Sequence, residues 1–286
     1  ELLSGLVGSE MCIRDSSLTV NPGFIAFTKA LRGFVYLKLL RPLDIFLTHV
    51  PWWYTLGVFS AIGYFTVGIR FAIITALLLL FIGACGIWPQ SMITLSSVLV
   101  SVALCFIIGV PLGIIASYNE RFRNVQNVVL DAMQTLPYFC YLIPVLMFFG
   151  GNIVSAVIAT VIYSVPPIIR LTALGLSQVS SGYSEVSKSF GGTGIQTLNK
   201  VKFPLAVPSL VMGFNQTVIM AFAMQIVTPL IGGKGLGLQV FNALQRSDTG
   251  RGLSAGLAIV LLAIIIDRIT HAWTKKQRQA LGLDQS

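Results

Sequence analysis

The sequence predicts an all-α protein, a polytopic transmembrane helical bundle. Of its 286 residues, 55% are hydrophobic and only 10% are charged, and the mean hydropathy is +0.83, whereas soluble domains carry about 25% charged residues. Apolar stretches of the length that crosses a bilayer, about 20 residues, recur along the chain. The basic residues behind the net charge of +9 lie between these stretches and not in one patch. That distribution argues against nucleic-acid binding and is typical of membrane-orientation signals.

The chain begins with two segments that precede the continuous apolar stretches. Residues 1–16 have neither an initiating Met nor the charged start and cleavage site of a signal peptide, so we treat them as an unreliable leader. Residues 17–49 mix apolar side chains with Lys29, Arg32, Lys38 and Arg41. This pattern predicts an N-terminal amphipathic, juxtamembrane segment.

Seven apolar stretches are predicted to span the membrane, and a basic cytoplasmic tail, residues 273–286, follows them. Two are N-terminal spans within residues 50–90, and five form a core over residues 91–272; they are 52–69, 71–88, 93–117, 125–149, 153–174, 207–231 and 254–271.

The loop 176–204 carries Lys188, Lys200 and Lys202, and a cytoplasmic position for it satisfies the positive-inside rule for the other short basic loops and the tail. An odd number of spans then leaves the N-terminus outside. Residues 17–49 therefore form either an external surface helix, which we favour, or an eighth crossing.

Proline and glycine are expected to interrupt several spans, at Pro111 with Gly113, at Pro137, at Pro144 and at Pro166-Pro167. Each break frees backbone groups that need protein or cavity water as partners. Such breaks either line a moving, solvated path or are kinks that improve packing.

Polar side chains inside the spans are candidates for a translocation path. Their alternative role is hydrogen bonding between helices. They are Asp131, Gln134, Asn215, Gln216 and Gln225. Asp267 and Arg268 end the last span, where snorkelling to the interface accounts for them.

No catalytic, metal or cofactor site is predicted. The cysteines Cys12, Cys85, Cys105 and Cys140 show no C-x-x-C spacing, and three of them lie in apolar runs, which favours small buried hydrophobes. The glycine-rich loop 231–237 lacks the phosphate-binding pattern. The only histidines, His49 and His271, belong to no catalytic motif, which argues against a membrane enzyme.

The loop 176–204 predicts a helix–turn–helix that faces the cytoplasm. Val179, Tyr183, Val186 and Phe190 recur at helical spacing. Gly191-Gly192 can then form a left-handed cap. After that cap, Thr193 and Gln196 have capping-box spacing for a second short helix, which Pro204 is expected to end. A helix pair of this kind between two spans is a docking element, although an ordinary loop is the alternative.

This segment resembles the EAA signature of ATP-binding-cassette (ABC) importer permeases. Glu185 is followed by Gly191 at +6, Val201 at +16 and Pro204 at +19. Val186 and Ser187 replace two alanines of the signature, and Phe203 replaces a leucine. The resemblance implies that Glu185, Val186, Ser187, Gly191, Val201 and Pro204 couple the chain to an ATPase.

Further stretches resemble the glycine betaine/proline permeases of this family. They are 131–137, 166–175, 215–217, 231–237 and 267–268. The resemblance implies a type I ABC importer (MetI-like) permease core preceded by extra spans, in a bacterial inner membrane. It implies a homodimer of permease chains, two cytoplasmic ATPase subunits that bind ATP and Mg²⁺, and an extracytoplasmic substrate-binding protein. No cofactor is then expected on this chain itself.

Aromatic rings near Pro137 are compatible with a quaternary amine as solute. Such cations bind to aromatic faces, and Tyr138, Phe139 and Tyr141 follow the proline. Lipid or core packing is the other interpretation. A permease for another small polar solute and an ion-coupled secondary transporter, for which Asp131 is the acidic candidate, are the alternative functions.

Overall fold

The computed structural model describes residues 22–280, and every regular element in that range is helical. The all-α prediction is confirmed, and the predicted leader 1–16 lies outside the described residues. The α-helices are α1 Pro22–Phe34, α2 Arg41–His49, α3 Trp52–Thr66, α4 Ile69–Ala84, α5 Trp88–Tyr118, α6 Glu120–Thr135, α7 Phe139–Phe149, α8 Ile153–Ser177, α9 Ser181–Ser189, α10 Gly194–Thr197, α11 Phe203–Met224, α12 Leu236–Arg246 and α13 Thr249–Ala280. Two π-helical segments, Val35–Leu40 and Leu198–Lys202, join α1 to α2 and α10 to α11.

Four helices in the described range are long and apolar enough to cross a membrane. They are Trp88–Tyr118, Ile153–Ser177, Gly194–Met224 and Thr249–Ala272, and two bent helix pairs raise the number to six if each pair is one span. The helix α4 is apolar but has only 16 residues. The predicted spans 52–69 and 71–88 correspond to the shorter helices α3 and α4.

Both sharp bends occur at a residue that precedes proline. The chain turns by 104° between α2 and α3 and by 100° between α6 and α7. Val50 and Leu136 are extended at these points, with ψ of 133° and 132°, because the ring of the next residue disfavours helical backbone. The break predicted at Pro137 is therefore confirmed, and the predicted span 125–149 is a bent helix pair.

The other prolines do not interrupt their helices. Helix α5 continues through Pro111, α7 through Pro144, and α8 through Pro166 and Pro167. The expectation of a break at each of them is wrong. A membrane helix tolerates the lost hydrogen bond where neighbouring helices hold it in place, and Pro166 and Pro167 are buried between α5 and α11.

Helix α8 is the centre of the bundle, because it packs against both α5 and α11. Glycines make these contacts close. A Cβ on Gly113 of α5 would lie 2.5 Å from the Cβ of Thr172, and one on Gly175 of α8 would lie 2.6 Å from the Cβ of Ser209. Small residues at such crossings let helix backbones approach. The helices α5, α8 and α11 therefore form one tightly packed unit.

A second apolar cluster joins α4, α5, α11 and α13 on the other side of this unit. Of the N-terminal elements, α2 and the π-helical segment before it pack along α5, whereas α1 contacts α7. Leu47 contacts Met92 and Leu95, and Val35 and Leu40 are buried in the main core. The segment is thus part of the bundle, while its position relative to the membrane stays a prediction.

The described cysteines differ in burial. Cys105 is buried, Cys85 is half-buried and Cys140 is exposed, and all three are free thiols. The prediction of small buried hydrophobes is correct for Cys105 and wrong for Cys140, because Cys140 lies on the uncovered side of α7.

Candidate docking element and translocation path

Helix α9 is closed at both ends by local hydrogen bonds. The hydroxyl of Ser180 accepts from the backbone N–H of Gly182. At the other end, the N–H of Gly191 donates to the carbonyl of Lys188 at 2.9 Å and that of Gly192 to the carbonyl of Ser187 at 2.9 Å. With Gly191 at φ +76°, this is a Schellman cap. The left-handed turn predicted at the two glycines is confirmed.

The turn fixes α10 against α9. Thr193 and Gln196 form the predicted capping box, in which each side chain accepts from the other residue's backbone N–H. Across the turn, the hydroxyls of Ser187 and Thr197 share a hydrogen bond of 2.8 Å. A Cβ on Gly192 would lie 2.7 Å from the carbonyl oxygen of Ser187. The two short helices therefore behave as one unit, the docking element Ser181–Thr197.

Pro204 does not end the second helix, which corrects the prediction. The chain continues as one helix from Gly194 to Met224, and Pro204 lies in the first turn of α11. The π-helical segment ends at Lys202, just before α11, so the missing N–H of Pro204 falls where the hydrogen-bond pattern changes from π to α. The ammonium of Lys202 lies 4.9 Å from the centroid of the Tyr118 ring, which links this segment to the end of α5.

The docking element exposes four large apolar side chains. Tyr183 and Val186 are each 56% exposed, Phe190 is 88% exposed and Ile195 of α10 is 73% exposed. We call these four residues the docking face. Contiguous exposed apolar residues mark interaction sites. The helical spacing placed the first three on one face together with Val179, which lies before α9 and is half-buried. Ile195 was missed because it belongs to a different helix.

The other predicted coupling residues surround this face. Glu185 is exposed, and Ser187, Val201 and Pro204 are half-buried. Val201 and Pro204 lie where the docking element continues into α11. The predicted set therefore divides into an exposed surface and its connection to the bundle.

The predicted path residue Asp131 forms an ion pair that joins two helices. Its Oδ1 lies 2.7 Å from Nη2 of Arg170, so α6 is tied to α8. Its side chain is 65% exposed and that of Arg170 is 39% exposed. Gln134, one turn later on α6, is exposed. A carboxylate already paired with a guanidinium is a poor candidate for the ion site of a secondary transporter.

Three tyrosines meet where α7 lies against α8. The ring of Tyr163 is centred 6.3 Å from that of Tyr138 and 6.1 Å from that of Tyr141. The hydroxyl of Tyr141 donates to the backbone carbonyl of Met133. The sequence indicated Tyr138 and Tyr141, but nothing local linked them to Tyr163, which lies in the next helix.

The remaining candidate amides, Asn215, Gln216 and Gln225, differ in environment, and Gln225 is buried. Asn215 is buried, and its amide donates to Oδ1 of Asp267 at 2.7 Å and accepts from the hydroxyl of Thr270 at 2.8 Å. Gln216 is exposed. The interpretation of Asp267 as a snorkelling residue is wrong, because this carboxylate bonds to α11. Asn215 thus has the alternative role, hydrogen bonding between helices.

Comparison with known proteins agrees with this architecture. The family model "Binding-protein-dependent transport system inner membrane component" matches residues 109–279. The permease protein ProW of the Escherichia coli glycine betaine/proline betaine transport system is 42% identical over 77% of this chain and 62% of its own length. The chain thus spans less than two thirds of ProW. OpuAB, the permease protein of the Bacillus subtilis glycine betaine transport system, is 40% identical over 75% of this chain and 76% of its own length.

A solved structure shares the fold. The inward-facing MetNI methionine ABC transporter matches with a TM-score of 0.59 at 20% identity, covering 64% of this chain and 92% of that chain. The predicted MetI-like permease fold is therefore confirmed. Because the family model covers more than half of the sequence, the chain belongs to the family of binding-protein-dependent transport system inner membrane components.

Proposed function

We propose that this chain is the permease subunit of an ATP-driven importer for compatible solutes of the betaine type. The observation that carries the proposal is the docking face, four exposed apolar side chains on a rigid helix pair that continues into the membrane bundle. Relatives that are permeases of glycine betaine transport systems support the solute class. The chain itself performs no bond chemistry in this proposal.

The proposed assembly contains two copies of this chain, two ATPase subunits and an extracytoplasmic substrate-binding protein. ATP and Mg²⁺ bind to the ATPases and not to this chain. The docking face would bury apolar surface against the ATPase, at about 25 cal/mol for each Å² removed from water. Phe190, the most exposed of its residues, would contribute most.

The connections of the docking element explain how movement of the ATPases would reach the solute path. On one side α10 continues without a break into α11, and on the other only residues 178–180 separate α9 from α8. Because α8 and α11 are packed closely through Gly175 and Gly213, they would tilt together. Such a tilt alternates access to a path between the two permease copies. ATP shifts that equilibrium only through its different affinity for the two states.

The test is uptake of radiolabelled glycine betaine into proteoliposomes that contain the complete complex, with the substrate-binding protein added. We expect uptake with ATP on the ATPase side and none with a nonhydrolysable analogue. Collapse of proton and sodium gradients by ionophores should leave the rate unchanged. Uptake that follows an ion gradient without ATP would refute the proposal and favour a secondary transporter. ATP-driven uptake of amino acids but not of betaines would refute the solute class alone.

A further inference from the structure

Helix α8 presents an aromatic side chain and a guanidinium on one face. Tyr163 and Arg170 are seven residues apart, which is close to two helical turns, so they lie on the same side about 10 Å apart along the axis. Long side chains on a helix lean toward its N-terminus, which from Arg170 is the direction of Tyr163. Neither side chain is fully buried.

Residues from α6 and the start of α7 lie against this face. Tyr138 and Tyr141 lie next to Tyr163, and Asp131 lies next to Arg170. The ring of Tyr138 lies 6.3 Å from that of Tyr163 at an interplanar angle of 83°, and the ring of Tyr141 lies 6.1 Å away at 61°. Rings set at steep angles form the walls of a corner rather than a flat stack. Tyr138 is 43% exposed and Tyr163 is half-buried, whereas Tyr141 is buried, so this corner is open on the side of Tyr138. On the other side of the bend at Leu136, Asp131 of α6 pairs with Arg170. Asp131 and Tyr138 are seven residues apart in the sequence.

The tyrosine rings and the guanidinium of Arg170 are chemically complementary to one class of solute. A quaternary ammonium group cannot donate hydrogen bonds and binds to aromatic faces. A carboxylate binds to a guanidinium in short, charge-assisted hydrogen bonds. Arg170 already holds a carboxylate, that of Asp131, and its Nε is buried without a partner among the described residues. The carboxylate of a solute would replace that of Asp131 with the same kind of bond.

We infer that Tyr138, Tyr163 and Arg170 form the surface on which a zwitterionic quaternary ammonium solute rests during translocation, with the buried Tyr141 packed against Tyr163. The rings of Tyr138 and Tyr163 contact the methylated cation, and Arg170 binds the carboxylate. Asp131 occupies Arg170 while the path holds no solute. This inference rests on the proposed function, because it assigns a binding surface for the betaine-type solute.

The test compares variants of the complete complex in proteoliposomes, using ATP-driven uptake of glycine betaine after assembly has been checked by size-exclusion chromatography. Loss of a cation–π contact corresponds to about a 2- to 30-fold effect, so Tyr163→Leu should slow uptake within that range. Tyr163→Phe keeps the ring and should lose much less. If Tyr163→Leu fails to assemble, Tyr138→Leu with Tyr138→Phe provides the same comparison at the more exposed ring.

The ion pair distinguishes a solute contact from a structural clamp. Arg170→Gln removes the carboxylate-binding group, and a lost charge-assisted bond predicts uptake about 10- to 100-fold slower. Asp131→Asn leaves the guanidinium available, so its loss should be several-fold smaller. A clamp between α6 and α8 predicts equal losses in the two variants.

Equal losses at Asp131 and Arg170, together with equal losses in the Leu and Phe variants, would overturn the inference. Wild-type complexes that show ATP-driven betaine uptake in the same experiment would keep the proposed function intact in that case. Wild-type complexes without such uptake would refute both.

Discussion

In the core formed by α5, α8 and α11, apolar side chains are buried against one another, whereas on the docking face four of them are exposed. In the core, a Cβ added to Gly109 would lie 2.4 Å from Ile168, and even a methyl group has no room. At the docking element, a Cβ on Gly191 meets nothing within 4 Å, and Phe190 is 88% exposed. The core side chains thus find their packing partners within the chain, whereas the apolar side chains of the docking face remain exposed. Substitutions in the two regions should therefore affect different measurements.

The largest effect is expected from Gly113→Ala in the core. The new Cβ would lie 2.5 Å from the Cβ of Thr172 and 2.8 Å from the carbonyl oxygen of Ile169, and overpacking of this kind costs about 1–3 kcal/mol. Thermal unfolding in detergent should shift to lower temperature. Gly57→Ala in α3 is the matched control, since its Cβ would have open space and alanine favours a helix by about 1 kcal/mol. Equal destabilisation by both would contradict the close packing described for the core.

An effect of similar size, on ATPase binding instead of unfolding, is expected from Phe190→Ser on the docking face. Burying a phenylalanine side chain contributes about 1.5–3 kcal/mol, so binding of the ATPase should weaken about 10- to 100-fold. Co-purification and titration of the purified ATPase would measure this loss, and unfolding of the chain alone should not change. Leu244→Ser on α12, where the leucine is 77% exposed, is the control and should retain ATPase binding. If Phe190→Ser and Leu244→Ser both lost ATPase binding, the loss would follow from removing any exposed apolar side chain and not from its position on the docking face.

A smaller effect is expected at the cap between the two short helices. Gly191 has a φ of +76°, which costs an ordinary L-residue about 1–2 kcal/mol, while asparagine adopts it more readily. Gly191→Val should therefore reduce solute transported per ATP hydrolysed about 5- to 30-fold, and Gly191→Asn should reduce it less. Parallel measurement of uptake and ATP hydrolysis in proteoliposomes gives this ratio. Identical ratios of solute transported to ATP hydrolysed for Gly191→Val and Gly191→Asn would exclude backbone strain at residue 191 as the cause of the loss.

The smallest effect is expected from the hydrogen bond between Ser187 and Thr197. One such bond contributes about 0.5–1.5 kcal/mol net. Ser187→Ala and Thr197→Val should each lower the transport ratio by less than about 10-fold, and the double variant should be no worse than the more impaired single variant. Additive losses would show that the two hydroxyls act independently.

The features that the sequence predicted correctly are those governed by neighbours along the chain. The left-handed turn at Gly191, the capping box of Thr193 with Gln196 and the shared helix face of Tyr183, Val186 and Phe190 all depend on residues within one or two turns. The bend at Pro137 has an equally local cause, although its 100° angle was not predicted.

What the sequence did not predict is the pairing between helices. Asp131 and Arg170 are 39 residues apart, Asn215 and Asp267 are 52 residues apart, and Tyr163 meets two rings of another helix. No periodicity within one helix indicates which neighbour its polar face meets. The straight passage of α8 through Pro166 and Pro167 likewise depends on α5 and α11 holding it.

The uninterrupted helix from Gly194 to Met224 has a geometric consequence. Because the helix is continuous, rotation of its Gly194 end rotates its Met224 end as well. Removing a single residue from the π-helical segment would rotate everything beyond it by about 100°, so the length of that segment fixes the orientation of the docking face relative to α11.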